Sequence, residues 1–128
     1  HLLDKTKFNI IITGTSKEGE RMKEKILSPY ANIIQDTTGK LSLGELIRLI
    51  GHSDGIVAAS TGPLHIGASL GIRTLGLYAD KKIIGPHRWA PLGPLAEFIK
   101  TGSQKAPLSS ISSKEVLLKI HSWHKNSL

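Results

Sequence analysis

The sequence predicts an α/β fold built on a Rossmann-like, doubly wound parallel sheet. The first observation is that short apolar runs alternate along the chain with segments of helical periodicity. The second is that helix-sized segments separate most of these runs, which is typical of parallel strands joined by crossover connections. The third is size: 128 residues, of which 39% are hydrophobic, suffice for one domain and not for two. Residues 1–128 are therefore expected to form a single domain.

Five short strands are predicted, each from an apolar run. The first run, FNIIIT, is rich in β-branched residues, as a strand buried on both faces should be. In chain order the predicted strands are Phe8–Thr13, Ala31–Gln35, Gly55–Ala59, Thr74–Tyr78 and Ala96–Lys100.

Four helices are predicted from apolar periodicity and from start and stop signals. Their extents are Lys17–Leu27, a helix carrying Leu43 to Ile50, Pro63–Leu70 and Lys114–Trp123. Capping boxes of the form Ser-x-x-Glu, Ser42 with Glu45 and Ser112 with Glu115, precede the second and fourth helices. The stretch Ala79–Gly93 contains several prolines and glycines and is predicted to be a loop.

Composition excludes several classes of function. The formal charge is +7, but the lysines are scattered without interleaved aromatic residues, so no nucleic-acid partner is expected. The absence of cysteine excludes disulfides, cysteine zinc sites and thiol nucleophiles, and it fits a reducing, cytoplasmic compartment. No apolar run approaches the roughly 20 residues that span a bilayer, and no secretion signal opens the chain. Because the chain begins at His1, we expect it to be a piece of a longer protein.

The most informative candidate site is STGPLH at residues 60–65, where a buried strand ends and a helix begins. Pro63 suits the first helical turn, and Gly62 allows a ligand to approach the backbone closely. The free amides and the helix dipole then favour an anion, with Ser60, Thr61 and His65 adding polar side chains. A plain strand-to-helix turn, with Thr61 as its N-cap and His65 at the surface, is the alternative.

The motif STGPLH, followed by IGASLG at residues 66–71, resembles a known signature. It is similar to the Asp-Thr-Gly-Pro-x-His-x-Ala-x-Ala-x-Gly signature of glycosyltransferase family 9, the ADP-heptose:lipopolysaccharide heptosyltransferases and their relatives. Thr38–Leu46 resembles the Gly-x-x-Ser-Leu-x-Glu-Leu element of that family, and Gly76–Tyr78 with Arg88–Gly93 is similar to its next strand and loop. The resemblance covers about Phe8 to Lys100.

The resemblance implies a GT-B fold, in which two Rossmann-like domains face a cleft and this chain is the C-terminal, donor-binding domain. The implied reaction is inverting transfer of heptose or a related sugar from a nucleoside-diphosphate sugar to a lipopolysaccharide or other lipid-linked cell-envelope acceptor. The general base would lie in an N-terminal acceptor domain outside this chain, so no catalytic residue is expected here. No cofactor and no metal are implied. Such an enzyme would work in the cytoplasm, with peripheral association at the inner membrane.

Carried onto this sequence, the resemblance implies a donor-binding site with separate roles for its residues. Thr61 and Gly62 would bind the diphosphate with support from His65, Glu18 would accept the ribose hydroxyls, and the backbone of Leu41 would contact the base. The full set is Gly14, Thr15, Glu18, Leu41, Ser60, Thr61, Gly62 and His65. A first-turn acid that complements its helix dipole is the alternative for Glu18.

Two departures from the family pattern concern the donor sugar. Ser60 stands where the signature has an acid, and Ala79-Asp80-Lys81 replaces the Gly-Pro-Thr usual after the fourth strand. Arg88 is a candidate phosphate ligand, whereas Trp89 is expected to pack the loop onto the domain. A GT-B-type sugar-nucleotide epimerase and a non-catalytic nucleotide-binding module remain the alternative functions.

Overall fold

The computed structural model describes residues 8–82 and 85–125. The strands in this part are β1 (Ile10–Ile12), β2 (Ile34–Asp36), β3 (Gly55–Ala59), β4 (Arg73–Tyr78) and β5 (Ala96–Lys100). The α-helices are α1 (Ser16–Met22), α2 (Leu43–Gly51), α3 (Gly62–Ser69), α4 (Pro86–Trp89) and α5 (Ser113–Lys125). The chain divides into two units, of which unit 1 ends at Glu45 and unit 2 begins at Leu46. None of the helices in the described ranges is both long and apolar enough to cross a membrane.

In unit 1, β1 and β2 pair in parallel, as predicted, and the structure places Ile10 opposite Ile34. The second strand begins later than the predicted Ala31–Gln35. The backbone amides of Ile33 and Ile34 both donate to the carbonyl of Tyr30, at 2.9 and 3.0 Å. These bonds form a turn, so the chain becomes extended only from Ile34 onward.

The first predicted helix, Lys17–Leu27, is present with a change of geometry. It is α-helical as α1 and then π-helical from Lys23 to Leu27. In the π-helical turn the amide of Ser28 donates to the carbonyl of Lys23, five residues earlier, at 2.7 Å.

The capping box before α2 is confirmed. The amide of Glu45 donates to the Ser42 hydroxyl at 3.2 Å, and the amide of Ser42 donates to the Glu45 carboxylate at 3.0 Å. Hydrogen bonds from the Ser42 amide and the Ser42 hydroxyl to the carboxylate lower the pKa of the Glu45 carboxyl. At α5, the Ser112 hydroxyl accepts the amide of Lys114 at 3.2 Å.

In unit 2, β3, β4 and β5 form a parallel sheet in that order, and β3 and β5 have the predicted bounds. One face packs on α3, where a Cβ at Gly67 would lie 2.6 Å from Cγ2 of Ile56. The other face packs on α5, whose Trp123 ring lies against Gly55. Helices therefore cover both faces of this sheet, as a doubly wound fold requires.

Ion pairs involve two residues of β5, which within the described residues pairs only with β4. The Lys100 ammonium lies 3.4 Å from the carboxylate of Asp80, and the Lys119 ammonium lies 3.1 Å from that of Glu97. All four side chains are partly exposed, so each pair contributes little to stability.

The prediction that Ala79–Gly93 is entirely a loop is wrong, because α4 lies within it. The carbonyl of Gly85 accepts the amides of Arg88 and Trp89, at 3.2 and 3.1 Å. Pro86 follows Gly85 at the first helical position, where a missing amide costs nothing. The same Gly-Pro pair that indicated a loop thus starts a short helix. Residues 83 and 84 of the predicted loop lie outside the described residues.

Candidate functional site

The turn between β3 and α3 has the geometry of an anion-binding helix terminus. Thr61 is the N-cap residue with an extended backbone, and its hydroxyl makes no capping hydrogen bond. The amides in the first turn of a helix lack intrahelical partners, so those of α3 are not satisfied by the Thr61 side chain. This differs from the alternative of a conventional Thr61 cap, in which the hydroxyl would occupy a helix amide.

Gly62 opens the backbone at this turn to a ligand. A Cβ placed on Gly62 would have no atom within 4 Å outside its immediate neighbours. Gly62 also lines a pocket of about 690 Å³ at the carboxyl ends of β3 and β4. The residues that line the pocket are Ala59, Ser60, Thr61, Gly62, His65, Leu77, Tyr78, Ala79, Arg88, Trp89 and Leu108. The structure thus brings together the four predicted site residues of unit 2, Ser60, Thr61, Gly62 and His65.

Tyr78 is 1% exposed at the edge of this pocket. Its hydroxyl donates to the backbone carbonyl of Trp89. Burial raises the pKa of the Tyr78 phenol, and the nearby Ser60 hydroxyl partly opposes that rise. The ring lies over Gly76, where a Cβ would be 2.5 Å from ring atom Cε2.

Arg88 and Trp89 bring a cation and an aromatic ring to the same pocket. The guanidinium carbon of Arg88 lies 5.7 Å from the centroid of the Trp89 ring, within the range of a cation–π contact. Trp89 was expected to pack the loop onto the domain, but the residue is 48% exposed. The position of Arg88 agrees with its predicted role as a phosphate ligand, which stays a prediction.

In unit 1, Gly14, Thr15 and Glu18 come together in the turn after β1. The amide of Thr15 donates to Oε2 of Glu18 at 2.8 Å, and the amide of Glu18 donates to the Thr15 hydroxyl at 3.2 Å. Gly14 has a φ of +153°, and the Glu18 carboxylate occupies the place where a Cβ would lie. Glu18 lies in the first turn of α1, as in its alternative interpretation, and also caps that helix, whereas the ribose contact stays a prediction. Leu41 is half-buried and precedes α2.

Unit 1 has a second pocket, of about 530 Å³, beside α1 and the end of β2. Its polar lining includes Ser16, Lys23, Thr38 and Lys40, and no predicted donor residue of unit 1 lines it. Hydrogen bonds from Thr38 lower the pKa of the Asp36 carboxyl at its rim.

Across residues 8–82 and 85–125, no three histidine, aspartate or glutamate side chains converge on a common point that could hold a metal ion.

Tyr78 and Leu108 are among the residues of the unit 2 pocket that sequence reasoning missed. Ala59 lies opposite Leu77 in the parallel register, so Ser60, just after β3, lies beside Tyr78, the last residue of β4. A tyrosine at the end of the strand next to the motif was the signal that could have indicated Tyr78. Leu108 reaches the pocket from a 3₁₀ turn, Leu108–Ser110, after β5, and nothing local in the sequence indicates it.

Comparison with known proteins identifies relatives of this chain. The family model described as "Glycosyltransferase family 9 (heptosyltransferase)" matches residues 1–119. A protein of Haemophilus influenzae named "Putative glycosyltransferase" is 27% identical over 96 residues, which are 71% of this chain and 26% of that protein.

Two solved structures share the fold. ADP-heptose lps heptosyltransferase II of E. coli superimposes with a TM-score of 0.74 at 20% identity, over 91% of this chain and 36% of that one. A family 9 glycosyl transferase of Veillonella parvula gives 0.76 at 19% identity, over 94% and 37%. The chain thus spans about a quarter to a third of the length of these relatives, and its parallel α/β architecture is that of GT-B heptosyltransferases. On the match of the family model to most of its length, the chain belongs to glycosyltransferase family 9.

Proposed function

We propose that this chain is the donor-binding domain of an inverting glycosyltransferase. The observation that carries the proposal is the start of α3, where uncapped amides and the open backbone of Gly62 line a pocket of about 690 Å³. Family membership supports a nucleotide-sugar donor. We propose heptose or a related sugar as the transferred group, and a lipopolysaccharide or other lipid-linked cell-envelope glycan as the acceptor.

The reaction displaces a diphosphate at the anomeric carbon of the donor sugar. The bond from that carbon to a diphosphate oxygen breaks, and its electron pair leaves with the diphosphate while the acceptor oxygen bonds to the carbon. The amides at the start of α3, the Thr61 hydroxyl, His65 and Arg88 stabilise the negative charge that develops on the leaving group. A general base in a domain outside this chain removes the acceptor proton. We expect no metal requirement, because these groups neutralise the diphosphate.

For the nucleoside, the proposed ribose ligand is Glu18. Glu18 lies at the carboxyl end of β1, where ligands of parallel α/β folds bind. Its Oε2 accepts the amide of Thr15, so ribose hydroxyls would be received by Oε1. The backbone of Leu41 contacts the base, which carries donors and acceptors that backbone groups can match.

The cellular setting is also proposed. The formal charge of +7 favours an anionic leaflet, where each Lys or Arg near the surface contributes about 1 kcal/mol. This supports peripheral association with the cytoplasmic face of the inner membrane, close to lipid-linked acceptors. We expect no nucleic-acid partner.

Calorimetric titration of the chain with ADP, UDP, GDP and inorganic pyrophosphate, in the presence of a chelator, tests the proposal. A nucleoside diphosphate should bind, weakly because part of the donor cleft lies elsewhere, and more tightly than pyrophosphate. No sugar transfer should be detectable. If none of the diphosphates binds, the donor-site assignment is wrong. Transfer by this chain alone would contradict a base on another domain, and interconversion of a sugar epimer would favour the epimerase.

A further inference from the structure

Tyr78 joins two parts of the pocket that are distant in sequence. It is the last residue of β4 and lies beside Ser60, because Ala59 and Leu77 are opposite each other in the parallel register. Its hydroxyl donates to the carbonyl of Trp89 at the end of α4. The buried phenol thus connects the β3–α3 turn to the segment that carries Arg88 and Trp89.

The ring of Tyr78 is held in one place by its surroundings. It lies over the bare backbone of Gly76 and meets the ring of Phe98 edge-on, with the centroids 6.1 Å apart. This packing fixes the position of the phenol oxygen. The group that donates the hydrogen bond to the Trp89 carbonyl is therefore held in place inside the protein. A phenylalanine at position 78 would keep the packing of the ring and remove the hydrogen bond of the hydroxyl, so the two effects can be tested separately.

The segment that carries Arg88 needs tertiary contacts. An isolated helix of four residues is far below the length that is stable in water, so α4 requires such contacts to keep its position. Pro86 is buried at the start of α4, and the hydrogen bond from Tyr78 adds a directional contact at its end, where Trp89 is about half exposed. A loop without a tertiary contact moves on the nanosecond to microsecond timescale, and ordering it on binding would reduce ligand affinity.

We propose that Tyr78 is a positioning residue, whose phenol holds α4 so that Arg88 and Trp89 face the anion-binding turn. The ligand at that turn is the diphosphate, so the effect of Tyr78 on ligand affinity rests on the proposed function. The structural part, that the Tyr78 hydroxyl fixes α4, stands independently of any ligand.

The chain contains two tryptophans and two tyrosines, which makes a specific test possible. In a W123F background Trp89 is the sole tryptophan, and its time-resolved fluorescence anisotropy reports the motion of α4. Y78F should add fast local motion of Trp89, and the matched variant Y30F, in unit 1, should add none. If Tyr78 only fills space in the core, Y78F leaves the anisotropy of Trp89 unchanged, and the proposal is overturned.

Nucleotide affinity gives the functional readout. The affinity for the tightest of ADP, UDP and GDP should fall about tenfold in Y78F, which is about 1.4 kcal/mol, and stay unchanged in Y30F. If the chain binds no nucleotide, the proposed function fails, while the anisotropy still decides the role of Tyr78. If Trp89 becomes mobile and affinity is unchanged, the positioning role in ligand binding is wrong.

Amide hydrogen exchange of the unmodified chain supplies a measurement that does not depend on Y78F being folded. The amides of Trp89 and Ala90, which bond to the carbonyls of Gly85 and Pro86, should be protected. Exchange at the rate of an unstructured peptide would show that α4 is not held, and would overturn the proposal.

Discussion

Glu18 and Thr15 satisfy each other's backbone amides, at 2.8 Å from the Thr15 amide to the Glu18 carboxylate and 3.2 Å in the other direction. The residue that would receive the ribose is therefore also half of a helix cap. Ser42 and Glu45 repeat the same arrangement at α2, with distances of 3.0 and 3.2 Å. The chain thus contains a matched control that separates ligand binding from capping.

E18Q should weaken nucleoside diphosphate binding by about 1–3 kcal/mol, the range for a hydrogen bond to a charged group. Glutamine still accepts the Thr15 amide, so the cap should persist. The affinity for inorganic pyrophosphate, which has no ribose, should hardly change. E45Q makes the same chemical change at a cap without a predicted ligand role, and both variants are compared by calorimetry. An equal loss of affinity in E45Q would assign the effect to helix stability.

G62V should abolish diphosphate binding, because a branched side chain would fill the space through which the phosphates approach the start of α3. Since no atom lies within 4 Å of a Cβ at Gly62, the fold should survive. G44V provides the control, because Gly44 is also an exposed glycine in a first helical turn with open space around its Cβ position. Affinity is measured together with thermal melting. Binding by G62V at the strength of the unmodified chain would place the diphosphate elsewhere.

H65A should be milder than G62V, with about a tenfold loss of nucleotide affinity, or roughly 1.4 kcal/mol. One side-chain donor is removed while the amides of α3 remain in place. His65 lines the pocket, so the measurement is the same titration with ADP, UDP and GDP. A loss as complete as that of G62V would mean that His65, and not the backbone, provides most of the binding.

G67A should destabilise unit 2. A Cβ there would lie 2.6 Å from Cγ2 of Ile56 and 3.1 Å from Oγ1 of Thr74, so α3 or the sheet must shift. Overpacking of this kind costs about 1–3 kcal/mol. G44A should instead leave stability unchanged or raise it by up to about 1 kcal/mol, because alanine is the better helix former. Urea unfolding measures both, and equal stability of the two variants would contradict the close packing of α3.

Tyr78 should make stability fall at alkaline pH. Burial raises the pKa of its phenol above the ordinary value of 10.0. Above pH 10.0 the unfolded chain releases this proton while the folded chain keeps it, so unfolding becomes more favourable until the folded pKa is passed. The contribution is fully present below pH 10.0. In urea unfolding on both sides of this pH, Y78F should lose less stability than the unmodified chain. Identical slopes would contradict a buried, neutral phenol.

Local signals in the sequence located much of the fold. Gly55–Ala59 and Ala96–Lys100 are bounded by turn residues and match β3 and β5 to the residue. The start of β2 was misplaced because the amides that fold back on Tyr30 have no signature in the side chains. The helix α4 was missed because a Gly-Pro pair indicates a loop and a helix start equally well.

The candidate site divides in the same way. The turn between β3 and α3 was predictable because strand, glycine, proline and helix follow one another within a few residues. Tyr78 was not, because its contact with Ser60 exists only once β3 and β4 pair in register, a relationship between residues far apart in sequence. Leu108 arrives from still further along the chain. A residue whose role depends on a neighbour in another strand can be assigned that role only when the register of the two strands is known.

The ion pairs at β5 bear on how copies of this chain avoid one another. A sheet edge with unpaired backbone groups is a template onto which another strand can add, and such addition begins aggregation. Along this edge Glu97 and Lys100 keep charged groups beside the backbone, held by Lys119 and Asp80. A second strand that approached would have to strip water from these charges. We expect these charges to oppose strand addition, so replacing Glu97 and Lys100 together by valine should make this edge more prone to aggregation.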